Sequence, residues 1–129
     1  MTNRILLALA VMLALAAPAA ADPIEGTWQT ERDGGSYAHV EIAPCGHAYC
    51  GVLVRTFNET GEYHAPGLGQ QIVRDMVPQG GGRYEGRVWR PTNDKVYSGR
   101  ITVEGDRMAL RGCIVGGLIC ASQTWVRID

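Results

Sequence analysis

The chain has 129 residues and a formal net charge of −1, from 13 acidic and 12 basic side chains. The sequence contains no run of basic residues, which argues against a nucleic-acid partner and against a polybasic segment that binds anionic lipid. The length suits one small domain with a single hydrophobic core.

The N-terminal segment has the pattern of an export signal. Arg4 precedes the apolar run 5–15, and three alanines at 19–21 form a small-residue cleavage pattern. We therefore expect residues 1–21 to be a cleaved signal peptide and 22–129 to be a mature periplasmic or secreted domain. The apolar run is short for a bilayer span, so no membrane span is expected after cleavage, although a retained anchor helix is the alternative.

The rest of the chain reads as all-β. Its 17 glycines punctuate short runs rich in Val, Ile, Thr, Tyr and Trp, and turn signals recur about every ten residues. This spacing is typical of antiparallel strands in a sandwich or barrel. About eight strands are predicted, near 24–31, 36–43, 50–57, 71–76, 83–90, 95–103, 107–114 and 118–128.

Two tags at the ends of the mature chain favour a barrel over a sandwich. Gly26 and Trp28 enter the first strand, while Trp125 and Arg127 lie on the last. A guanidinium from the last strand can cover the aromatic face from the first, which predicts that these four residues close the barrel.

The four cysteines fall into two local pairs. In a small exported domain they favour two disulfides, Cys45–Cys50 and Cys113–Cys120, each bracketing a turn between strands. Zinc is the competing interpretation, with His47 as an extra ligand, but both spacings are looser than the usual zinc knuckle.

The segment 58–70 is the one long irregular stretch, with three glycines and a proline. A loop of this length in a small domain is often a lid or a contact loop, and a tolerated surface insertion is the alternative.

Several segments together resemble the DUF2147 family of small exported bacterial proteins. The segments that carry the resemblance are 24–28, 39–42 with 44–46, 50–51, 72–76, 82–88, 95–99, 111–113 and 120–127. The resemblance implies an antiparallel up-and-down β-barrel of the lipocalin-like (calycin) kind, and it implies no established activity.

Catalysis has little support in the sequence. The histidines share no metal-binding or triad spacing; His39 with Glu41, or Asp75, are the candidates for acid–base work. A solvated strand face and a surface ion pair are the competing interpretations of these residues. The sequence therefore predicts neither an enzyme nor a cofactor or metal.

Binding has better candidates. A barrel of about eight strands can hold one small ligand or fill itself with side chains. We expect a small hydrophobic or amphipathic ligand, contacted by aromatic and polar side chains at Arg87, Trp89, Tyr97, Arg111 and Gln123. The alternative is a protein-interaction or inhibitor module that uses the disulfide-pinned tips at 45–50 and 113–120.

Overall fold

A computed structural model describes residues 21–114 and 116–129, so all but the last residue of the predicted signal peptide lies outside the described residues. Nine strands form in the described chain. In order they are β1 (Gly26–Gln29), β2 (Tyr37–Cys45), β3 (Ala48–Asn58), β4 (Gly61–Glu62), β5 (Gln71–Gly80), β6 (Arg83–Arg90), β7 (Lys95–Glu104), β8 (Arg107–Ile114) and β9 (Ile119–Arg127).

The strands form one antiparallel sheet that closes on itself. Their order is β2-β1-β9-β8-β7-β6-β5-β3-β4, and a further pairing of β2 with β3 completes an eight-stranded up-and-down barrel. The two-residue β4 pairs antiparallel with the last residues of β3 and is not one of the eight barrel strands. The expected all-β, lipocalin-like barrel is thus confirmed. Among the described residues no helix is long and apolar enough to cross a membrane.

Strand bounds differ from the prediction mainly around β4 and β5. The strand β4 forms inside the segment predicted to be irregular, and β5 continues to Gly80 instead of ending at 76. A bulge lies within β5 between Arg74 and Val77, where Asp75 adopts a φ of 50°. Gly86 accommodates the bulge, because a Cβ there would lie 2.5 Å from the carbonyl oxygen of Asp75.

Alternation along the strands sends one face of each into a filled interior. Trp28 and Met108 are fully buried, and Trp125 is 2% exposed. The other core side chains come from β2, β3, β5, β6, β7 and β8 and from the segment before β1: Ile24, Val40, Ile42, Leu53, Ile72, Val73, Met76, Tyr84, Ile101, Val103 and Leu110. The middle of the barrel is therefore a packed core, which leaves the two ends as the places to look for a site.

Candidate functional site

The lower end of the barrel, where β1 starts and β9 ends, is plugged by the segment before β1. Ile24 is fully buried, and its carbonyl accepts a hydrogen bond of 2.9 Å from the Trp28 indole. The Tyr84 hydroxyl donates to the carboxylate of Asp22. Burial of the phenol, followed by this hydrogen bond, raises the pKa of Tyr84. These contacts hold the segment across the lower end.

Arg127 holds the segment before β1, residues 22–25, in place; we call this segment the plug. Its guanidinium lies 4.3 Å from the centre of the Trp28 ring and donates to the carbonyls of Glu25, at 2.5 Å, and of Pro23. Gly26 leaves room for this arrangement, because a Cβ there would lie 2.6 Å from the Arg127 guanidinium and 2.5 Å from the chain's last carbonyl. Three of the four residues predicted to close the barrel thus meet at one end, with the fourth, Trp125, in the core.

The upper end is open along the wall made by β7, β8 and β9. Tyr97, Gly112, Ala121 and Gln123 lie on the same inward face as the core residues of their strands, since the registers of these strands are unbroken. Ala121 is exposed although it faces inward, and the other three are half-buried. Solvent therefore reaches the inner wall down to Gln123. We call these four residues the mouth.

Two polar side chains in the mouth can donate hydrogen bonds to a ligand. The side-chain oxygen of Gln123 accepts the Trp125 indole N–H at 2.9 Å, which leaves the Gln123 amide N–H groups to donate elsewhere. The Tyr97 oxygen accepts from the Asn93 amide at 2.7 Å, so its own O–H also remains a donor. The other two mouth residues, Gly112 and Ala121, carry no polar side-chain atom, so the mouth combines a small apolar surface with hydrogen-bond donors.

The β1–β2 loop reaches across the upper end. Asp33 and Ser36 join their backbones within it, and Asp33 forms a 3.5 Å ion pair with Arg90 at the end of β6. β6 lies four strands from β1 around the barrel, so this contact spans the opening. Both side chains are more than half exposed, at 53% for Arg90 and 71% for Asp33. An exposed ion pair of this kind is a weak latch. We call the segment 30–36 the lid.

The segment 58–70 supports the rim. Thr56 is buried; its hydroxyl donates to the carbonyl of Tyr63 and accepts from the backbone N–H of Ala65 at 3.2 Å. The Glu59 side chain lies against Gly35 of the lid. Hydrogen bonds and packing thus fix this segment beside the lid.

Three of the five predicted ligand residues do not face the mouth. Arg87 and Trp89 alternate with the inward-facing Tyr84 of β6, and Arg111 alternates with the buried Leu110 of β8. Arg87 and Arg111 are exposed on the outer surface, and Trp89 is half-buried and packs against the edge of the core. Of the five predicted ligand residues, Tyr97 and Gln123 are the two that face the mouth.

Both predicted disulfides are present in the described chain. Cys45–Cys50 closes the turn between β2 and β3 at the lower end, and Cys113–Cys120 joins β8 to β9 below the upper tip. With their sulfurs bonded to each other, the cysteines do not act as thiolate ligands for zinc.

The candidate acid–base residues lie on the outer surface. His39 sits beside Tyr37 and Phe57 and is 3.1 Å from the Gln29 side-chain oxygen. Burial, with help from the positive charge of Arg55, lowers the pKa of His39. Asp75 forms an exposed ion pair of 3.0 Å with an arginine, Arg87, as the competing interpretation expected. The structure brings none of these groups into the mouth.

Comparison with known proteins agrees with this geometry at the level of family and fold. The model of the family described as "Uncharacterized protein conserved in bacteria (DUF2147)" matches residues 26–127. A solved structure, protein HP1028 from Helicobacter pylori, is described as belonging to the lipocalin family. It superposes with a TM-score of 0.66 at 14% identity, over 81% of this chain and 82% of that one. No curated protein sequence matches the chain. At 14% identity the likeness concerns the fold.

Proposed function

We propose that this chain, which belongs to the DUF2147 family, is an exported lipocalin-like barrel that binds a small hydrophobic or amphipathic ligand in its mouth. The observation that carries the proposal is the exposed, inward-facing Ala121 beside Tyr97 and Gln123. An inward position in a barrel of this size is normally filled by side chains, and here it is open to solvent.

The chemistry of the mouth indicates the kind of ligand. The Gln123 amide and the Tyr97 hydroxyl are neutral donors, suited to a carbonyl, carboxylate or ether oxygen. The packed core below limits how deep a ligand can enter, so the ligand is one whose polar end or short apolar chain fits a shallow opening. The weak Asp33–Arg90 latch lets the lid move aside at small cost.

Export and a single mature domain are part of the proposal. Among the described residues, Asp22 is held to the barrel by its backbone nitrogen, which lies 2.7 Å from the Glu25 carboxylate. If residues 1–21 are removed, this nitrogen becomes the charged amino terminus of a domain spanning 22–129. The two disulfides fit an oxidising compartment. An intact-mass measurement of the exported protein checks this, because cleavage elsewhere would give a different mass.

The ligand proposal is tested with a matched pair of variants on β9. Ala121→Trp fills the mouth, whereas Ser122→Trp places the same side chain on the outer face one residue away. With a dansyl-labelled medium-chain fatty acid as the probe, we expect Ala121→Trp to weaken binding at least ~10-fold, equivalent to about 1.4 kcal/mol. Ser122→Trp should bind as the wild type does, and both should unfold cooperatively.

Native mass spectrometry of the protein purified from its own periplasm provides the second readout. A retained small molecule that Ala121→Trp loses would support the proposal. Equal probe binding by the two variants, or no binding by the wild type together with no retained molecule, would refute a mouth ligand.

A second candidate function is contact with a partner through the tip between β8 and β9. Leu118 is 83% exposed and Ile119 is 59% exposed at this tip, which the Cys113–Cys120 disulfide holds. Large apolar side chains presented in this way are a recurrent mark of interaction surfaces. The test compares the wild type with Leu118→Ser in binding to a partner protein captured by the wild type. If Leu118→Ser loses the partner and still binds the fatty-acid probe, this function is favoured over the first.

A further inference from the structure

The outer face of β6, β7, β8 and β9 carries arginines that are separated along the sequence and lie close together only when the strands pair. The registers place outward-facing residues in rows across the strands. The third row from the upper end holds Glu85, Arg100 and Arg111. Arg87 lies in the row above it, and Arg83 and then Arg107 lie in the rows below. We call the arginines of these rows the arginine face: Arg83, Arg87, Arg100, Arg107 and Arg111.

The positive charge of this face is only partly balanced. Arg87 pairs with Asp75 at 3.0 Å, and Arg100 lies 3.7 Å from Glu85. Within residues 21–114 and 116–129, the remaining arginines of the face form no ion pair: Arg83, Arg107 and Arg111. Glu104 is the register partner of Arg107 on the same face. Five arginines therefore lie with three carboxylates, those of Asp75, Glu85 and Glu104, and the face keeps a net positive charge in a chain whose net charge is −1.

Two arginines stand directly opposite each other on this face. Arg100 of β7 is the register partner of Arg111 of β8. Like charges at directly opposed positions destabilise a sheet. Glu85, in the same row and 3.7 Å from Arg100, offsets one of the two charges. Within the described residues the charge of Arg111 forms no ion pair, so it is available to an external anion.

The upper end of the same face is apolar. Val96 is 47% exposed in the row above Arg87, and Leu118 is 83% exposed at the adjoining tip. Two residues along a strand span about 7 Å, so the arginines begin one row below these side chains. An apolar edge beside cations is the combination that peripheral proteins present to a charged bilayer, with the apolar side chains in the interface and the cations at the headgroups.

We propose that the arginine face docks the barrel onto a bilayer surface rich in anionic phospholipid. Guanidinium groups match phosphate through paired hydrogen bonds. The face is the convex outside of a closed barrel, against which a layer of mobile headgroups can mould, whereas a peptide ligand needs a groove or a free strand edge. The docking surface is separate from the mouth, so it does not depend on a mouth ligand.

The test uses flotation of the purified protein with vesicles of phosphatidylethanolamine and phosphatidylglycerol, and with phosphatidylcholine vesicles as the neutral comparison. We expect binding to the anionic vesicles alone, and its loss at high salt. Each arginine near an anionic surface contributes about a fivefold change in partitioning, so reversing one charge should weaken binding at least ~10-fold.

A matched pair of variants identifies the face. Arg111→Glu reverses an exposed charge on the arginine face, and Arg32→Glu makes the same change to the net charge on the lid, outside the arginine face. Only Arg111→Glu should lose vesicle binding, and Leu118→Ser should weaken it without changing the net charge. Circular dichroism checks that every variant is folded.

Three results would overturn the proposal. The first is that the wild type ignores anionic vesicles, and the second is that both charge reversals weaken binding equally. The third is that soluble polyglutamate displaces the protein from vesicles more readily than added anionic lipid does, which would point to an acidic protein as the partner. Fatty-acid probe binding by Arg111→Glu is measured in parallel, so that failure of docking is distinguished from failure of the mouth.

Discussion

Removing the Arg127 side chain should loosen the lower end of the barrel. The guanidinium donates to the carbonyls of Glu25 and Pro23, covers Trp28 at 4.3 Å, and is only 23% exposed. Hydrogen bonds from a charged donor contribute about 1.5–3 kcal/mol each when buried, and a cation over an indole about 1 kcal/mol. Because one carbonyl contact is open to solvent, we expect Arg127→Ala to cost about 3 kcal/mol in total.

Arg127→Lys separates the shape of the guanidinium from its charge. The ammonium of lysine can cover the Trp28 ring but cannot reach both carbonyls in the fork geometry of arginine. We expect it to recover about half of the loss. For a domain of about 100 residues, 1 kcal/mol lowers the melting temperature by roughly 4 °C or more, so Arg127→Ala should melt at least ~12 °C below the wild type.

Reversible denaturant unfolding measures these differences, with Arg83→Ala as the control for an exposed arginine outside ion pairs. The control should stay within about 0.5 kcal/mol of the wild type. A double-mutant cycle with Trp28→Leu should give a coupling of about 1 kcal/mol between ring and guanidinium. If Arg127→Ala unfolds like the control, or the coupling is zero, Arg127 does not close the barrel in the way described.

Three further changes test other parts of the fold. Folding lowers the pKa of His39 below its usual value of 6.5, so the unfolded chain binds the proton more tightly than the folded one. The free energy of unfolding should therefore fall as the pH drops from about 6.5 through the folded pKa. Denaturant unfolding measured against pH checks this, and His39→Gln should flatten that part of the curve. Gly51→Ala places a methyl group 2.9 Å from Val40 in the core and should cost about 1–3 kcal/mol in denaturant melts, with no contribution from a positive φ. Replacing both Cys113 and Cys120 by serine should cost about 2 kcal/mol, and a wild-type melt in reductant should reproduce that loss together with the smaller effect of the other disulfide.

The fold was largely predictable because its signals are local. Glycine-rich turns set the strand spacing, and in β7 the buried Gly99, Ile101 and Val103 alternate with more exposed residues. β4 was missed because two residues carry no alternation. The bulge at Asp75 was missed because an aspartate at positive φ has no distinctive sequence signal; the tight Gly86 opposite it matters only once the strands are paired.

The site was less predictable because it depends on which face each side chain takes. In β6 both faces hold an aromatic residue, Tyr84 inside and Trp89 outside, so composition could not separate them. Selecting residues by type therefore placed Arg87, Trp89 and Arg111 in the site. The ion pair of Asp33 with Arg90 joins residues 57 positions apart and exists only because the barrel closes. Neither local segment carries a sequence pattern that predicts this ion pair.

The contrast between the two ends of the barrel supports the proposal that a ligand binds at the upper one. At the lower end a mostly buried guanidinium, an indole and backbone carbonyls hold the plug, so opening it exposes fully buried Ile24 and Trp28. At the upper end the lid is held by an ion pair whose partners are 53% and 71% exposed, which contributes about 0–1 kcal/mol. Local opening concentrates where few buried contacts must break. Under the proposed function, a ligand entering from above displaces a lid held by this ion pair and by Glu59 against Gly35, and the core stays covered. Entry from below would expose Ile24 and Trp28.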